Sequence, residues 1–276
     1  MWNALIVVWR ESLEAMLVIG ILLSWIGRQP EPAGLRRGLW AGVAAGVAFA
    51  AALAFATWRA QDEFQAATLE RVQLAMVLAA AALILHMVLW MHAHGRRMKH
   101  ELERQAQRTL GAGDGARAAL GLAAIAALAV AREGAETVIF LYGLGMEGAI
   151  TELAGGAGAG FALAAATAWL VARGARFLSL RTLFRASEIL LLLIATSLLA
   201  AGVDRLIGLE WLPPLADPLW DTAAWLPDAR GSGRFLADFA GYRARPAATL
   251  VLAIAAFWSY ALWRMAQIDR AAARHD

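Results

Sequence analysis

Two stretches of the chain place charged residues inside apolar runs long enough to cross a bilayer: VWRESLEAMLVIG at Val8–Gly20 and AVAREGAETVIF at Ala129–Phe140. A charge at the centre of a membrane helix costs about 2.5–3.5 kcal/mol on insertion scales, and such charges usually mark a site rather than a scaffold. Arg10, Glu11 and Glu14 of the first stretch return as Arg132, Glu133 and Glu136 in the second. The motif is therefore duplicated.

The chain has 276 residues, 61% of them hydrophobic and 17% charged, with a mean hydropathy of +0.56. That composition describes an all-α polytopic membrane protein forming a single membrane domain. The sequence pI near 9.9 does not imply nucleic acid, because the basic residues fall in short clusters between apolar runs, as in cytoplasmic membrane loops. With no cysteine there is no disulfide framework, iron–sulfur cluster or thiolate site. Any metal must be held by oxygen or nitrogen. The first apolar run lacks a basic leader region and carries the motif itself, so it is expected to be retained rather than cleaved.

A hydrocarbon core of about 30 Å needs roughly 20 helical residues. Seven segments meet this measure, near 2–26, 38–58, 70–92, 118–145, 153–172, 186–206 and 246–264. Arg28, Arg36 and Arg37 follow the first; a basic stretch at 93–117 follows the third; Arg173, Arg176, Arg181 and Arg185 follow the fifth; Arg264, Arg270 and Arg274 end the chain. Positive charge marks cytoplasmic loops, so the N-terminus is expected outside and the C-terminus inside a cell (inner) membrane.

Residues 1–92 and 118–206 read as two three-span units, each opening on a motif helix and continuing into a glycine-rich one. Gly38, Gly42 and Gly46 recur at four-residue spacing in the second span, as do Gly156 and Gly160 in the fifth. Such small-residue faces let helices approach closely in lipid. Three is an odd number, so the second unit enters from the opposite side and the repeat is inverted, an arrangement that puts transporter sites at the midplane. Residues 93–117 form a cytoplasmic loop, 207–245 an extracytoplasmic segment, and 246–276 a seventh span with its tail.

In each motif the glutamates are spaced i, i+3 and share a helix face. If the two helices face each other, Glu11, Glu14, Glu133 and Glu136 serve one cavity, and four carboxylates against Arg10 and Arg132 leave a surplus of two negative charges. All-oxygen ligation suits hard ions such as ferric iron, Mg²⁺, Ca²⁺ or Mn²⁺. Carboxylates left without a cation in a dry site favour their neutral form, so proton uptake is expected to alternate with metal binding. Alternatively, each arginine neutralises its neighbours and the six groups staple two helices together.

The paired R-E-x-x-E motifs in the first and fourth spans resemble the oxidase-dependent, high-affinity iron permease family, in its EfeU-like bacterial branch. The resemblance runs through RESLEAMLVIGILLSW, LWMHAHGRR, AREGAETVIFLYGLG, PLWDTAAWLPD and GYRARPAATL. It implies an iron permease rather than an enzyme, with iron as transported substrate and no cofactor. Ferric iron would arrive from an extracytoplasmic iron-binding or ferrous-oxidising partner. By the resemblance Glu11, Glu14, Glu133 and Glu136 are ligands and Arg10 and Arg132 orient them. Ser12 departs from the glycine often found after the first R-E, and Ala135 from the family's common leucine; neither removes a ligand.

Secondary candidates surround this core. His86, inside the third span, is a possible transit ligand, though an intramembrane histidine more often bonds a neighbouring helix. His92 and His94 read as interfacial. Glu188 follows Arg185 and reads as a local ion pair or interfacial group, with an exit-side relay as the sharper alternative. Asp62, Glu63, Glu147 and Glu152 lie on the outer side, where they would attract cations or simply be solvated. Trp211, Trp220 and Trp225 suggest short interfacial helices or a surface for the partner. No phosphate loop and no H-E-x-x-H occurs, so neither ATP coupling nor metalloprotease chemistry is indicated. Transport of another hard divalent cation, or a non-transporting assembly or sensor subunit, are the competing functions; a homo-oligomer is left open.

Overall fold

Backbone amides inside a bilayer must be satisfied locally, and the apolar runs meet this demand as long helices. The computed structural model describes residues 2–30, 32–63, 66–94, 98–110, 115–145, 150–173 and 180–272. Their regular structure is helical throughout: α1 (Trp2–Ile26), α2 (Pro32–Glu63), α3 (Ala66–His94), α4 (Met98–Leu110), α5 (Gly115–Gly145), α6 (Ile150–Ala172), α7 (Leu180–Gly208), α8 (Gly231–Ala240) and α9 (Ala248–Ala272). Six of these, α2, α3, α5, α6, α7 and α9, are long and apolar enough to cross a membrane. α1 matches them in length, with 25 residues, but carries three charges.

Local chemistry sets the boundaries. The N–H of Gly27, just past α1, bonds the Leu23 carbonyl at 3.0 Å, and Pro32 opens α2, where its missing N–H has no intrahelical partner to lose. Within the stretch read as a cytoplasmic loop, MKHELERQAQRTL folds as α4. Its buried Ala106 joins Val18, Leu22, Trp25, Ile26 and Leu122 in an apolar cluster. Arg28 pairs with Glu103 at 2.6 Å and Trp25 Nε1 donates to Gln107 Oε1 at 3.4 Å, tying α4 across the end of α1.

At the centre α1 packs on α5; α2 runs along α5, α6 along α1, α3 against α7, and α9 against α3 and α7. Glycine makes the closest approaches. A Cβ on Gly38 would run into the Ala119 carbonyl, on Gly42 into that of Ala123, and on Gly160 into that of Leu5. Each crossing thus brings backbone against backbone. A second apolar cluster, including Val7, Ala80, Ile84, Phe140, Leu191 and Leu198, fills the half of the bundle nearer the α1 N-terminus. Outward faces carry Trp40, Phe49, Phe55, Phe161, Trp169, Leu252 and Trp263, all exposed, as expected where lipid rather than water is the surrounding solvent.

Beyond α7 the chain departs from the short interfacial helices expected there: α8 is the one helix, and the rest is turn and irregular chain. Pro213, Pro214, Pro218, Pro227 and Pro246 explain this, since proline lacks the helical donor and clashes with the preceding turn. Side chains hold the segment instead. Arg243 Nε meets Asp204 Oδ2 at 2.7 Å, Asp228 accepts from the Ala244 N–H at 3.0 Å, and the Tyr242 hydroxyl donates to the Leu226 carbonyl at 2.9 Å. α8 ends at Gly241, whose φ of 72° is the left-handed conformation that closes a helix C-terminus.

Candidate metal-binding site

The α1–α5 packing brings the two motifs face to face. Arg10 and Glu11 are each 1% exposed, Glu14 5% and Glu133 7%. Arg10 Nη1 donates to Glu11 Oε1 at 2.9 Å and to Met87 Sδ of α3 at 2.6 Å, while its Nη2 lies 2.5 Å from Glu14 Oε1. On α5, Arg132 Nε donates to Glu136 Oε1 at 2.9 Å and lies 4.0 Å from Glu133 Oε1. The Arg132 guanidinium carbon sits 5.0 Å from the centre of the Trp90 ring.

Three carboxylates converge. Glu11, Glu133 and Glu136 each offer one oxygen, all within 4.8 Å of one another. Even at that limit the triangle's centre is about 2.8 Å from each oxygen, against about 2.0–2.6 Å for hard-cation–oxygen bonds. A shift of a few tenths of an ångström would close the difference. Oε2 of each of these three glutamates is buried without a hydrogen-bond partner, a costly arrangement unless something positive completes it. Glu14 stands outside the triangle, engaged by Arg10.

The site lies between two dry layers. Val7 is one turn before Glu11 and Phe140 one turn after Glu136, both fully buried in the second cluster; Val18, one turn after Glu14, belongs to the first. On the Val7 side, a cavity of about 110 Å³ is lined by Asn3, Glu152, Ser197, Arg234 and Asp238 among others. Ala4 and Gly143 also line it, each seven residues from a motif glutamate, roughly 10 Å along a helix.

The remaining candidates fall elsewhere. His86 is exposed on α3, whereas its neighbour Met87 is buried and reaches Arg10. Glu188 bonds His92 Nδ1 at 3.3 Å rather than pairing with Arg185, and His92 Nε2 meets Asp269 at 3.0 Å. Glu152 lines the cavity. Asp62 and Glu63 are in the last turn of α2, with side chains outside the described residues, and Glu147 lies outside them altogether. Met87 and Trp90 escaped the sequence reading because a methionine and a tryptophan in an apolar run look like core or lipid face. Their one-turn spacing beside the HAH triplet was the available signal.

The sequence profile of the Iron permease FTR1 family matches residues 1–268. The chain belongs to that family. Among curated relatives, Iron permease EfeU of Bacillus subtilis is 30% identical over 228 residues, 82% of this chain and 45% of the relative. The FTR1-family chain thus spans about half that relative's length. Ferrous iron permease EfeU of Yersinia pestis is 27% identical over 251 residues, covering 89% of this chain and 86% of the relative. The Escherichia coli protein of the same name is 26% identical over 256 residues, covering 91% and 90%. No solved structure matches the FTR1-family chain.

Proposed function

We propose that this chain is an iron permease that moves iron across a cell (inner) membrane, with Glu11, Glu133 and Glu136 as the transit site. The observation that carries this reading is the convergence of three carboxylates from two helices, each keeping one buried oxygen without a hydrogen-bond partner. Family membership and the relatives' names supply iron as the substrate. Glu14 then acts through Arg10, setting how much of that guanidinium's charge Glu11 feels. Hard oxygen donors favour ferric iron, delivered by an extracytoplasmic iron-binding or ferrous-oxidising protein. The enterobacterial relatives carry the name ferrous iron permease, so the oxidation state of the crossing ion is a separate measurement.

In this reading α1 is a seventh span, its charges tolerated because they are buried and paired. The helix contacts support an inverted repeat of α1–α3 with α5–α7. Exchanging the two units turns the α1–α6 contact into the α5–α2 contact and leaves the α1–α5 and α3–α7 pairs unchanged, and all four contacts occur. With the N-terminus outside, the cavity beside Glu152 opens on the outer face as a vestibule, and the exposed Trp211, Trp220 and Trp225 of the 207–245 segment serve as membrane anchors or a partner surface. The two dry layers then make this an occluded arrangement in which protons take the carboxylates when the cation leaves.

The test is iron uptake by the full chain in proteoliposomes. Glu133→Gln and Glu136→Gln are expected to lower uptake at least about tenfold, the scale of losing a charged ligand, with the protein still monodisperse. Excess Mg²⁺ or Ca²⁺ should compete weakly. Wild-type uptake by both variants would overturn the site, and stronger transport of another divalent ion would overturn iron as substrate.

A further inference from the structure

Arg132 and Arg10 occupy equivalent motif positions in unlike surroundings: Arg10 is sealed between Glu11, Glu14 and Met87, whereas the Arg132 side chain is 47% exposed. What Arg132 has instead is Trp90, whose ring centre lies 5.0 Å from its guanidinium carbon, inside the range at which a cation is attracted to an indole face. The indole is itself braced. His94 stacks on it at 5.1 Å and 19°, and His94 Nδ1 bonds the Trp90 carbonyl at 3.1 Å. Arg132 reaches the motif carboxylates through Nε, at 2.9 Å from Glu136 and 4.0 Å from Glu133.

A guanidinium presents five donors in a planar fork suited to gripping carboxylates bidentately. The unpartnered Oε2 atoms of Glu133 and Glu136 are natural targets for that fork, since they lie on the helix that carries it. If Arg132 folded onto them it would fill their lone pairs and cancel the charge on which a cation depends. We propose that Trp90 is a positioning residue that holds the two Nη groups of Arg132 off Glu133 and Glu136, leaving only the Nε contact to Glu136 Oε1, so that the Oε2 atoms stay free for the transported cation. Trp90 thereby sets the affinity of the site without touching the ion. The inference rests on the carboxylate triangle being the cation site, and it adds a control on that site by a residue of a third helix.

The experiment compares single and paired variants of the full chain, reading KM and Vmax for iron uptake in proteoliposomes and equilibrium iron binding in detergent. Trp90→Leu is expected to raise KM and the iron dissociation constant about two- to fivefold, the scale of a partly exposed cation–π contact, with Vmax little changed. Trp90→Phe, which keeps an aromatic face, should recover most of the loss. In an Arg132→Gln background Trp90→Leu should have no further effect, because the two act through one contact. An undiminished Trp90→Leu effect in that background, or Trp90→Phe as impaired as Trp90→Leu, would assign Trp90 to packing and overturn the proposal. If Trp90→Leu does not fold, Trp90→Met replaces it with the same expectations. Glu133→Gln runs alongside: unchanged iron binding there overturns the cation site itself, whatever the Trp90 variants do.

Discussion

Arg10 and Glu14 pair at 2.5 Å with their side chains 2% and 6% exposed, whereas Arg132 and Glu136 make the same i,i+4 contact at 2.9 Å with the arginine 47% exposed. The same R-E-x-x-E spacing has produced one sealed pair and one open pair. Breaking a buried ion pair strands the partner charge and costs about 3–5 kcal/mol; loss of Arg10 strands two buried carboxylates, Glu11 and Glu14, whereas among the described residues Arg132 bonds Glu136 alone and lies 4.0 Å from Glu133. Arg10→Gln should therefore lower unfolding stability in detergent far more than Arg132→Gln. Equal losses in a denaturation series would mean that the two motifs are structurally equivalent.

The α2–α5 crossing depends on the absence of a side chain at Gly42, where a Cβ would collide with the Ala123 carbonyl. Backbone cannot retreat as a flexible side chain can, so Gly42→Ala should destabilise by about 1–3 kcal/mol, the usual scale of overpacking. Gly155, in α6, has nothing within 4 Å of its virtual Cβ. Gly155→Ala should be neutral or stabilising by up to about 1 kcal/mol from helix propensity. Thermal unfolding of the two variants side by side checks the pair.

Asp221 offers a pH signature outside the bundle. It accepts the Ala223 N–H at 2.9 Å and Arg245 Nε at 3.0 Å. The Ala223 N–H first, and Arg245 after it, hold its carboxyl below the ordinary aspartate value. A depressed carboxylate stabilises the folded state above its unfolded pKa, and this contribution is lost as pH falls through the folded value. The contacts should thus be intact from neutral pH to about pH 4 and let go below it. The Asp221 carboxyl carbon resonance reads this directly. A midpoint at or above the ordinary value near 3.9 would contradict the assignment.

His92 joins three helices, α3 to α7 through Glu188 and α3 to α9 through Asp269. Truncation to His92→Ala removes both contacts at one end of the bundle and leaves the motif glutamates untouched. Hydrogen exchange should accelerate in the last turns of α9 while the α1–α5 contact keeps its protection. Unaltered α9 exchange would show that apolar packing alone holds this helix.

The long helices were legible in the sequence because twenty apolar residues in hydrocarbon have few conformations that satisfy their backbone. The glycines at 38, 42, 46 and 160 were legible for a related reason: small residues at helical spacing have little use except close approach. The duplicated R-E-x-x-E motif also announced itself, since a charge in an apolar run demands a partner. The stretch 93–117 was legible as polar and basic, but the docking of its helix α4 across α1 was not, because that rests on Trp25, Arg28 and Ala106 meeting residues distant in the chain.

Sequence alone determined that buried carboxylates and arginines would have to meet within a helical bundle; hydropathy and the cost of solitary charge suffice for that. Which carboxylates converge was decided only in three dimensions. Glu11 and Glu14 share a helix face and a neighbouring arginine, yet Glu11 joins Glu133 and Glu136 while Glu14 lies outside their triangle, paired with Arg10. The division follows from the direction in which each side chain leaves its helix and from what α3 sets beside it, sulfur at Met87 and an indole at Trp90. Electrostatic attraction weakens with distance and strengthens with burial, and neither is written in the spacing of residues along one helix.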